Sequence, residues 1–317
     1  MVLNPQHAQA DAALLQLGQR LKADGYSFTC VSPATHARNN ERAENAQAHT
    51  LRDVFGWSRP FARALMSPDE MAQLEAAQVL ANESGLHSST VRWSTLDGLL
   101  LVHSAYPTDA SDAVFFGPDS YRFAQVIHEH LQRSPTPVQH AVDIGCGTGI
   151  GALLIARAAH HAQVSAVDIN PLALRYTAIN AALAGLANVS VAPSDILDDV
   201  TGNFDLIVAN PPYMVDTQAR QYRHGGGSLG AELSVRIVEQ GCDRLSQGGT
   251  LLLYTGVAIV DGRDALLEAA RLRLAGPRWS WVYRELDPDV FGEQLQEPGY
   301  EHVERIAAVA LSVTRIG

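Results

Sequence analysis

From about residue 136 to the end of the chain, short apolar runs alternate with longer stretches of helical spacing. Strands are predicted over 138–144, 163–168, 188–192, 204–209, 249–255, 278–285 and 303–315. Helices are predicted between the first several of these. Ile150 to Ala162 is apolar-rich, and the next helix is punctuated at both ends: Asn170 caps it, Pro171 opens it and Gly185 closes it. Strand–helix alternation argues for an α/β fold with a doubly wound, seven-stranded, mostly parallel sheet. The last two strands lack a clear crossover helix, so they are expected to pair antiparallel at one edge of the sheet.

Residues 1–110 follow another pattern and are expected to form a small α+β domain ahead of the 111–317 domain. Leu14, Leu17 and Leu21 recur at helical spacing, and Gly25 suits the end of that helix. Residues 33–47 are polar and predict a loop or a short helix. Ser67-Pro-Asp-Glu70 is a capping box with proline at the first helical position, and its helix is expected to run to about Asn82. Thr90–Thr95 and Leu99–His103 then predict two strands around a turn at Asp97-Gly98. A helix followed by a hairpin is winged-helix-like. Such a module could bind nucleic acid, or it could serve as a lid or a docking surface.

Charge bears on that choice. The chain has 317 residues and a net charge of -11, and Lys22 is its single lysine. Nucleic-acid affinity rests largely on cancelling phosphate charge, so the acidic balance favours the lid or docking role. No apolar run is long enough to predict a membrane helix, and the first residues lack the basic-then-apolar pattern of a secretion signal. The three cysteines, Cys30, Cys146 and Cys242, are scattered and have no metal-ligand spacing. These features predict a cytoplasmic protein without a membrane partner and without a metal site. His128, His130, His160 and His161 fall in predicted helices with no further ligand at suitable spacing.

Two segments carry candidate chemistry. The first is Asp143-Ile-Gly-Cys-Gly-Thr-Gly-Ile-Gly151, a strand end followed by a helix. Gly145, Gly147 and Gly149 remove side chains where the chain turns tightly, so a ligand can touch backbone in front of a positive helix end. Gly147-Thr-Gly-Ile-Gly-Ala152 also satisfies the G-x-G-x-x-A form of a dinucleotide fingerprint, which keeps a nicotinamide-dependent oxidoreductase open as an alternative. Three aspartates favour S-adenosylmethionine instead. Asp143 precedes the loop and could orient it and attract a charged ligand end. Asp168, followed by Ile169, ends the next strand and can hold both ribose hydroxyls. Asp195-Ile196 follows the third strand, where a carboxylate can accept from the adenine amino group. A dinucleotide site accounts for Asp168 but not for Asp195. Cys146, inside the loop, reads as a packed small residue and not as a catalyst.

The second segment is Asn210-Pro-Pro-Tyr213, directly after the buried-strand pattern Phe204–Ala209. Two prolines stop the strand and stiffen the corner. The corner lies at the strand ends that carry ligands in open α/β sheets. An amide or aromatic amine nitrogen is a weak nucleophile because its lone pair is delocalised. The Asn210 side-chain oxygen and the Pro211 carbonyl can each accept one of its N–H bonds, and Tyr213 can stack on the flat group. Positioning of that kind can supply up to ~7–11 kcal/mol of a barrier.

On these residues the chain resembles the class I S-adenosylmethionine-dependent methyltransferases with an Asn/Asp-Pro-Pro-Tyr motif. Over about 115–256 it is most similar to the "methyltransferase small" type. That type includes HemK-like glutamine methyltransferases of peptide release factors and several base-amino methyltransferases of RNA. The resemblance implies a Rossmann-like catalytic domain. It implies a cofactor site lined by Asp143, Gly145, Cys146, Gly147, Gly149, Asp168, Ile169, Asp195, Ile196 and Asn210. It also implies an acceptor site at Asn210, Pro211, Pro212 and Tyr213. Phe116-Gly-Pro-Asp-Ser-Tyr121 resembles the pre-strand segment that helps close such sites, which adds Phe116 and Tyr121 to the expected acceptor contacts. The implied reaction is N-methylation of a planar sp2 nitrogen. A protein glutamine is the leading acceptor, followed by an RNA base amino group or a small molecule.

Two features have no place in that scheme. Arg220, Arg223 and His224 form a small basic cluster after the corner, a clamp for an anionic group or a solvated loop. The acidic segment 285–293, with Phe291, could approach the substrate from the C-terminal edge or form a solvated rim.

Overall fold

The computed structural model describes residues 7–133, 137–214, 222–223, 225–227 and 229–317, apart from the side chain of Glu83. The N-terminal part contains α1 (Ala8–Ala23), α2 (Pro33–Asn40), α3 (Leu51–Phe55) and α4 (Pro68–Ala76), then β1 (Leu80–Glu83), β2 (Leu86–Ser89), β3 (Val91–Leu96) and β4 (Leu99–Ser104). The sequence places α1, the Ser67–Glu70 capping box and the β3–β4 hairpin correctly. The hairpin turn has Asp97 and Gly98 both at positive φ, as a tight two-residue connection demands.

One expectation fails. The α4 helix does not reach Asn82; it ends at Ala76, and Leu80–Glu83 is a strand paired antiparallel with Leu86–Ser89. Gln78 takes a left-handed φ of 58° just past the helix, and Ser84-Gly85, both at positive φ, close a second hairpin. The Ser-Gly pair is itself a turn signal. Here it outweighs the helical spacing before it.

The remaining elements are α5 (Pro118–Arg133), β5 (His140–Ile144), α6 (Ile150–Ala158), β6 (Gln163–Asp168), α7 (Pro171–Ala184), β7 (Val189–Pro193), β8 (Phe204–Ala209), α8 (Glu232–Asp243), β9 (Leu245–Val260), β10 (Arg263–Asp264), α9 (Ala265–Arg273), β11 (Trp279–Asp287) and β12 (Arg305–Arg315). They build a sheet in the order β11-β12-β9-β8-β5-β6-β7, with the two-residue β10 folded back on β9. Strands β9, β8, β5, β6 and β7 run parallel to one another, and β12 is antiparallel to both β9 and β11. This is the Rossmann-like class I arrangement, with the antiparallel pair at the expected edge. One face of the sheet packs against α5 and α6 through Phe123, Ile127, Leu153 and Leu154; the other packs against α8 and α9 through Ile237, Val238 and Leu266.

Strand order reverses between β5 and β8. Sequence neighbours of β5 extend one way, and those of β8 the other. Ligands in such sheets bind in the crevice beyond the C-terminal strand ends at that switch point. Ile144 sits opposite Ala209 on one side and Val167 on the other, and Val167 sits opposite Ala192. The residues after these four positions are the glycine loop, the Asn-Pro-Pro-Tyr corner, Asp168 and the Ser194–Ile196 turn. Register alone therefore lines up all four candidate segments.

Candidate functional site

The crevice is a cavity of about 520 Å³ lined by Gly145, Cys146, Gly147, Asp168, Ile169, Asp195, Ile196 and Asn210–Met214, among others. The loop glycines there have different tasks. Gly145 and Gly147 sit at φ 65° and 53°, and a Cβ on either would meet nothing within 4 Å. At these two positions it is the left-handed backbone that calls for glycine. The space beside them is open, so a ligand can approach the backbone. At Gly149 a left-handed φ of 80° and close packing both call for glycine, and at Gly151 packing alone does. A Cβ on Gly149 would lie 2.6 Å from Thr177, and one on Gly151 would lie 2.8 Å from the Asp143 carboxylate. Gly149 is not among the residues that line the cavity.

Asp143 lies behind the loop and holds the start of α6. Its carboxylate is fully buried, accepts the Ala152 N–H at 2.9 Å and does not line the cavity. Burial pushes its pKa up to about 8, with a smaller contribution from the neighbouring Asp168 charge. The first turn of α6 lies against that carboxylate, so the charge expected to attract the ligand's charged end is set back from the cavity.

Asp168 does line the cavity. One carboxylate oxygen accepts the Gly147 N–H at 3.0 Å and the other the Asn170 N–H at 2.9 Å, which fixes the carboxylate beside the loop. Burial raises its pKa above the usual carboxylate range. Ile169 is 57% exposed and borders the same space, an apolar surface suited to a flat ring. Asp195 is at the rim and forms an ion pair with Arg236 at 2.9 Å. Ile196 is buried with φ 52°, a costly conformation for a β-branched side chain. Such strain accords with a turn shaped for a ligand. The open glycine backbone, the fixed carboxylate and the apolar shelf fit S-adenosylmethionine by size and chemistry.

Asn210, Pro211, Pro212 and Tyr213 all face the cavity. Tyr213 is held from three sides. Its hydroxyl donates to Asp119 Oδ2 at 2.5 Å, its ring lies against the backbone of Gly256 in β9, and the Phe291 ring meets it edge-on at 6.2 Å between centroids. Asp119 Oδ1 also accepts from the Tyr254 hydroxyl at 2.7 Å and from Arg122 at 3.2 Å. Burial, reinforced by the Asp119 charge, pushes the Tyr213 phenol well above its usual range. Tyr213 therefore stays neutral and anchored.

The pre-strand segment contributes different residues from those expected. Phe116 is fully buried under the sheet. Tyr121 turns to the N-terminal part, where its hydroxyl accepts the Cys30 N–H at 2.9 Å and donates to the Thr95 carbonyl at 3.1 Å. Neither lines the cavity; Phe115, Asp119 and Phe123 do. For Tyr121 the difference is one of helical phase, whereas Phe116 precedes α5. Asp119, Phe123, Val126 and Ile127 share the inner face of α5. A lone acid on the apolar face of an amphipathic helix is the signal in the sequence that points to Asp119.

Of the basic cluster, Arg220 and His224 lie outside the described residues. Arg223 borders the cavity and donates to the buried Gln294 side chain. The acidic segment is not a solvated rim throughout: Asp287 pairs with Arg122 at 2.8 Å, and Phe291 lines the cavity. Among the described residues there is no group of three or more potential metal ligands and no helix long and apolar enough to cross a membrane.

The profile of the methyltransferase small domain matches residues 113–258. The chain is 34% identical over 187 residues to the release factor glutamine methyltransferase of Deinococcus radiodurans, covering 56% of this chain and 63% of that one. It is 35% identical over 157 residues to the tRNA1(Val) (adenine(37)-N6)-methyltransferase of Porphyromonas gingivalis, covering 45% and 59%. It is 34% identical over 148 residues to the ribosomal protein uL3 glutamine methyltransferase of Bordetella pertussis, covering 42% and 50%. The chain thus spans about half to two thirds of the length of the curated relatives it matches. The matched segment contains the glycine loop, the three strand-end aspartates or their neighbours and the Asn-Pro-Pro-Tyr corner. Residues 113–258 of the chain thus match the methyltransferase small domain family, in agreement with the sheet order found above.

Proposed function

We propose that the protein transfers a methyl group from S-adenosylmethionine to a planar amide nitrogen, the side chain of a glutamine in another protein. The observation that carries this is the placement of Asn210–Tyr213 beside the open glycine loop, on adjacent strand ends and in one cavity. When bound, the cofactor supplies a methyl group on a sulfonium, ready for displacement by a nucleophile. The chain supplies position. Asn210 offers its side-chain oxygen and Pro211 its carbonyl to the two N–H bonds of a primary amide. Those bonds orient the nitrogen and raise its electron density as attack begins. The two prolines keep both acceptors in place, and Tyr213 gives the amide plane a surface to rest on. Asp168 and the bare backbone at Gly145 and Gly147 hold the cofactor end of the site. No side chain is needed as a general base, because the nitrogen becomes acidic once it is methylated.

The choice of a protein acceptor rests on charge. Among the described residues lining the cavity, Asp109, Asp119, Asp168 and Asp195 face a single cation, Arg223. A polynucleotide acceptor would bring phosphates to that surface. The similarity to a tRNA adenine methyltransferase supports a second reading, an exocyclic base amino group, which presents the same pair of N–H bonds. The nicotinamide alternative loses its ground, since its fingerprint lies inside the matched methyltransferase domain.

Asn210→Ala tests the assignment. Methyl transfer should fall by about 100- to 1000-fold, as expected for loss of a group that acts where charge develops. Affinity for S-adenosylhomocysteine, measured by calorimetry, should stay within about tenfold. Wild-type turnover in the folded variant would show that Asn210 does not hold the acceptor nitrogen.

A further inference from the structure

The geometry points to Phe291 as the residue that determines which acceptor enters the site, an inference that rests on the methyl-transfer reading above. Phe291 lies in a segment outside residues 113–258, so the shared domain does not supply it. It reaches the cavity from the far edge of the sheet and meets Tyr213 edge-on, with 63° between the rings. Tyr213 is closed on the side that faces Gly256, so an acceptor can rest only on its remaining surface. The Phe291 ring borders that surface.

The segment is built to hold this ring in place. Phe291 has φ 55° and ψ 43°, a left-handed conformation that a bulky aromatic side chain rarely adopts. A strained residue persists only where its surroundings over-determine it. Here they do so on both sides. Asp287, before it, is paired to Arg122 of α5, the helix whose Asp119 anchors Tyr213. Gln294, after it, is buried, donates its N–H to the Phe291 carbonyl at 2.8 Å and accepts from Arg223 beyond the Asn-Pro-Pro-Tyr corner. Val290 is tied to β12 through Ile306 at 2.8 Å. The wall opposite Tyr213 is therefore fastened to the elements that carry the acceptor site, while its sequence lies outside the family domain. A planar amide on a flexible side chain needs less room beside that ring than a fused-ring base does.

Phe291→Gly is the informative variant, because glycine takes the left-handed backbone without strain and removes only the ring. The assay is transfer of label from radioactive S-adenosylmethionine to the protein fraction of an extract from cells lacking this protein, at increasing extract concentration. The half-saturating concentration should rise about tenfold or more with Phe291→Gly. S-adenosylhomocysteine affinity should remain at the wild-type value, and Phe291→Tyr should behave like the wild type. Should Phe291→Gly fail to fold, Phe291→Asn, which also removes the ring and tolerates a left-handed backbone, serves with the same expectations. An unmoved half-saturating concentration, or a parallel loss of S-adenosylhomocysteine binding, would overturn the assignment. No label from the wild-type enzyme in any fraction would instead sink the methyl-transfer reading, and this assignment with it.

Discussion

Tyr213 shows how much of the site depends on residues that carry no chemistry. Gly256 is at an ordinary φ, so alanine fits its backbone; yet an added Cβ would lie 2.2 Å from the Tyr213 ring. Gly256→Ala should therefore leave the fold intact and push the ring off its seat. Turnover should drop by about 100-fold, the scale expected for a misplacement of about 1 Å at a reacting centre, with S-adenosylhomocysteine affinity unchanged. Equal turnover in the variant would show that the ring's seat is not critical. Asn210, Pro211 and Tyr213 are legible in the sequence because a polar–proline–proline–aromatic corner after a buried strand is rare chemistry in a telling place. Gly256 is not. It sits within a run of strand residues, and nothing local reveals that an aromatic ring from 43 positions earlier will settle on it. Asp119 is half legible: its segment stands out, but the sequence points to Phe116, ahead of α5, and to Tyr121, off the inner face of that helix.

Elements punctuated by their own residues are the ones the sequence places well. Asn170, Pro171 and Gly185 bound α7 as expected, with the Asn170 side chain accepting the Leu172 N–H at 2.9 Å. Where two signals overlap, as after α4, the sequence does not say which prevails, because pairing of β1 with β2 is decided across the turn and not along the chain. The glycine loop adds a pH-dependent consequence. The Asp143 carboxyl is buried behind it, with its pKa raised to about 8 from an ordinary value near 4. A carboxyl raised on folding binds its proton more tightly in the native state. Its stabilising contribution is full below about pH 4 and is lost as pH rises through about 8. Asp143→Asn keeps an acceptor for the Ala152 N–H and has no such titration. Melting temperatures without cofactor, compared from about pH 5 to pH 9, should show the wild type losing ground to Asp143→Asn as pH rises. A constant difference would mean that Asp143 stays ionised.

Across the protein, the N-terminal part and the sheet share a core. Leu14, Leu17 and Leu21 of α1 pack with Trp93 and Val102 of the hairpin and with Tyr176, Ile179 and Leu183 of α7. Asn180, fully buried on α7, accepts the Val102 N–H at 2.8 Å and donates to the carbonyls of Val102 and Thr148. One side chain thus ties the hairpin to the glycine loop. The sequence suggests a separate unit up to about residue 110 because patterning shows which face of α1 is apolar, not what covers it. Leu17→Ala should destabilise by roughly 2–5 kcal/mol and lower a single melting transition of the whole chain. A separate early transition, with the methyltransferase domain melting as before, would show that the two parts unfold independently.

Whether the Asn-Pro-Pro-Tyr corner methylates a protein amide is decided by label transfer. Wild-type protein and Asn210→Ala would be incubated with radioactive S-adenosylmethionine and extract from cells lacking the protein, and the products divided by protease and ribonuclease. Protease-sensitive label is expected from the wild type, and almost none from Asn210→Ala. Label that only ribonuclease removes would contradict the protein acceptor. No label at all, with S-adenosylhomocysteine bound, would contradict methyl transfer itself.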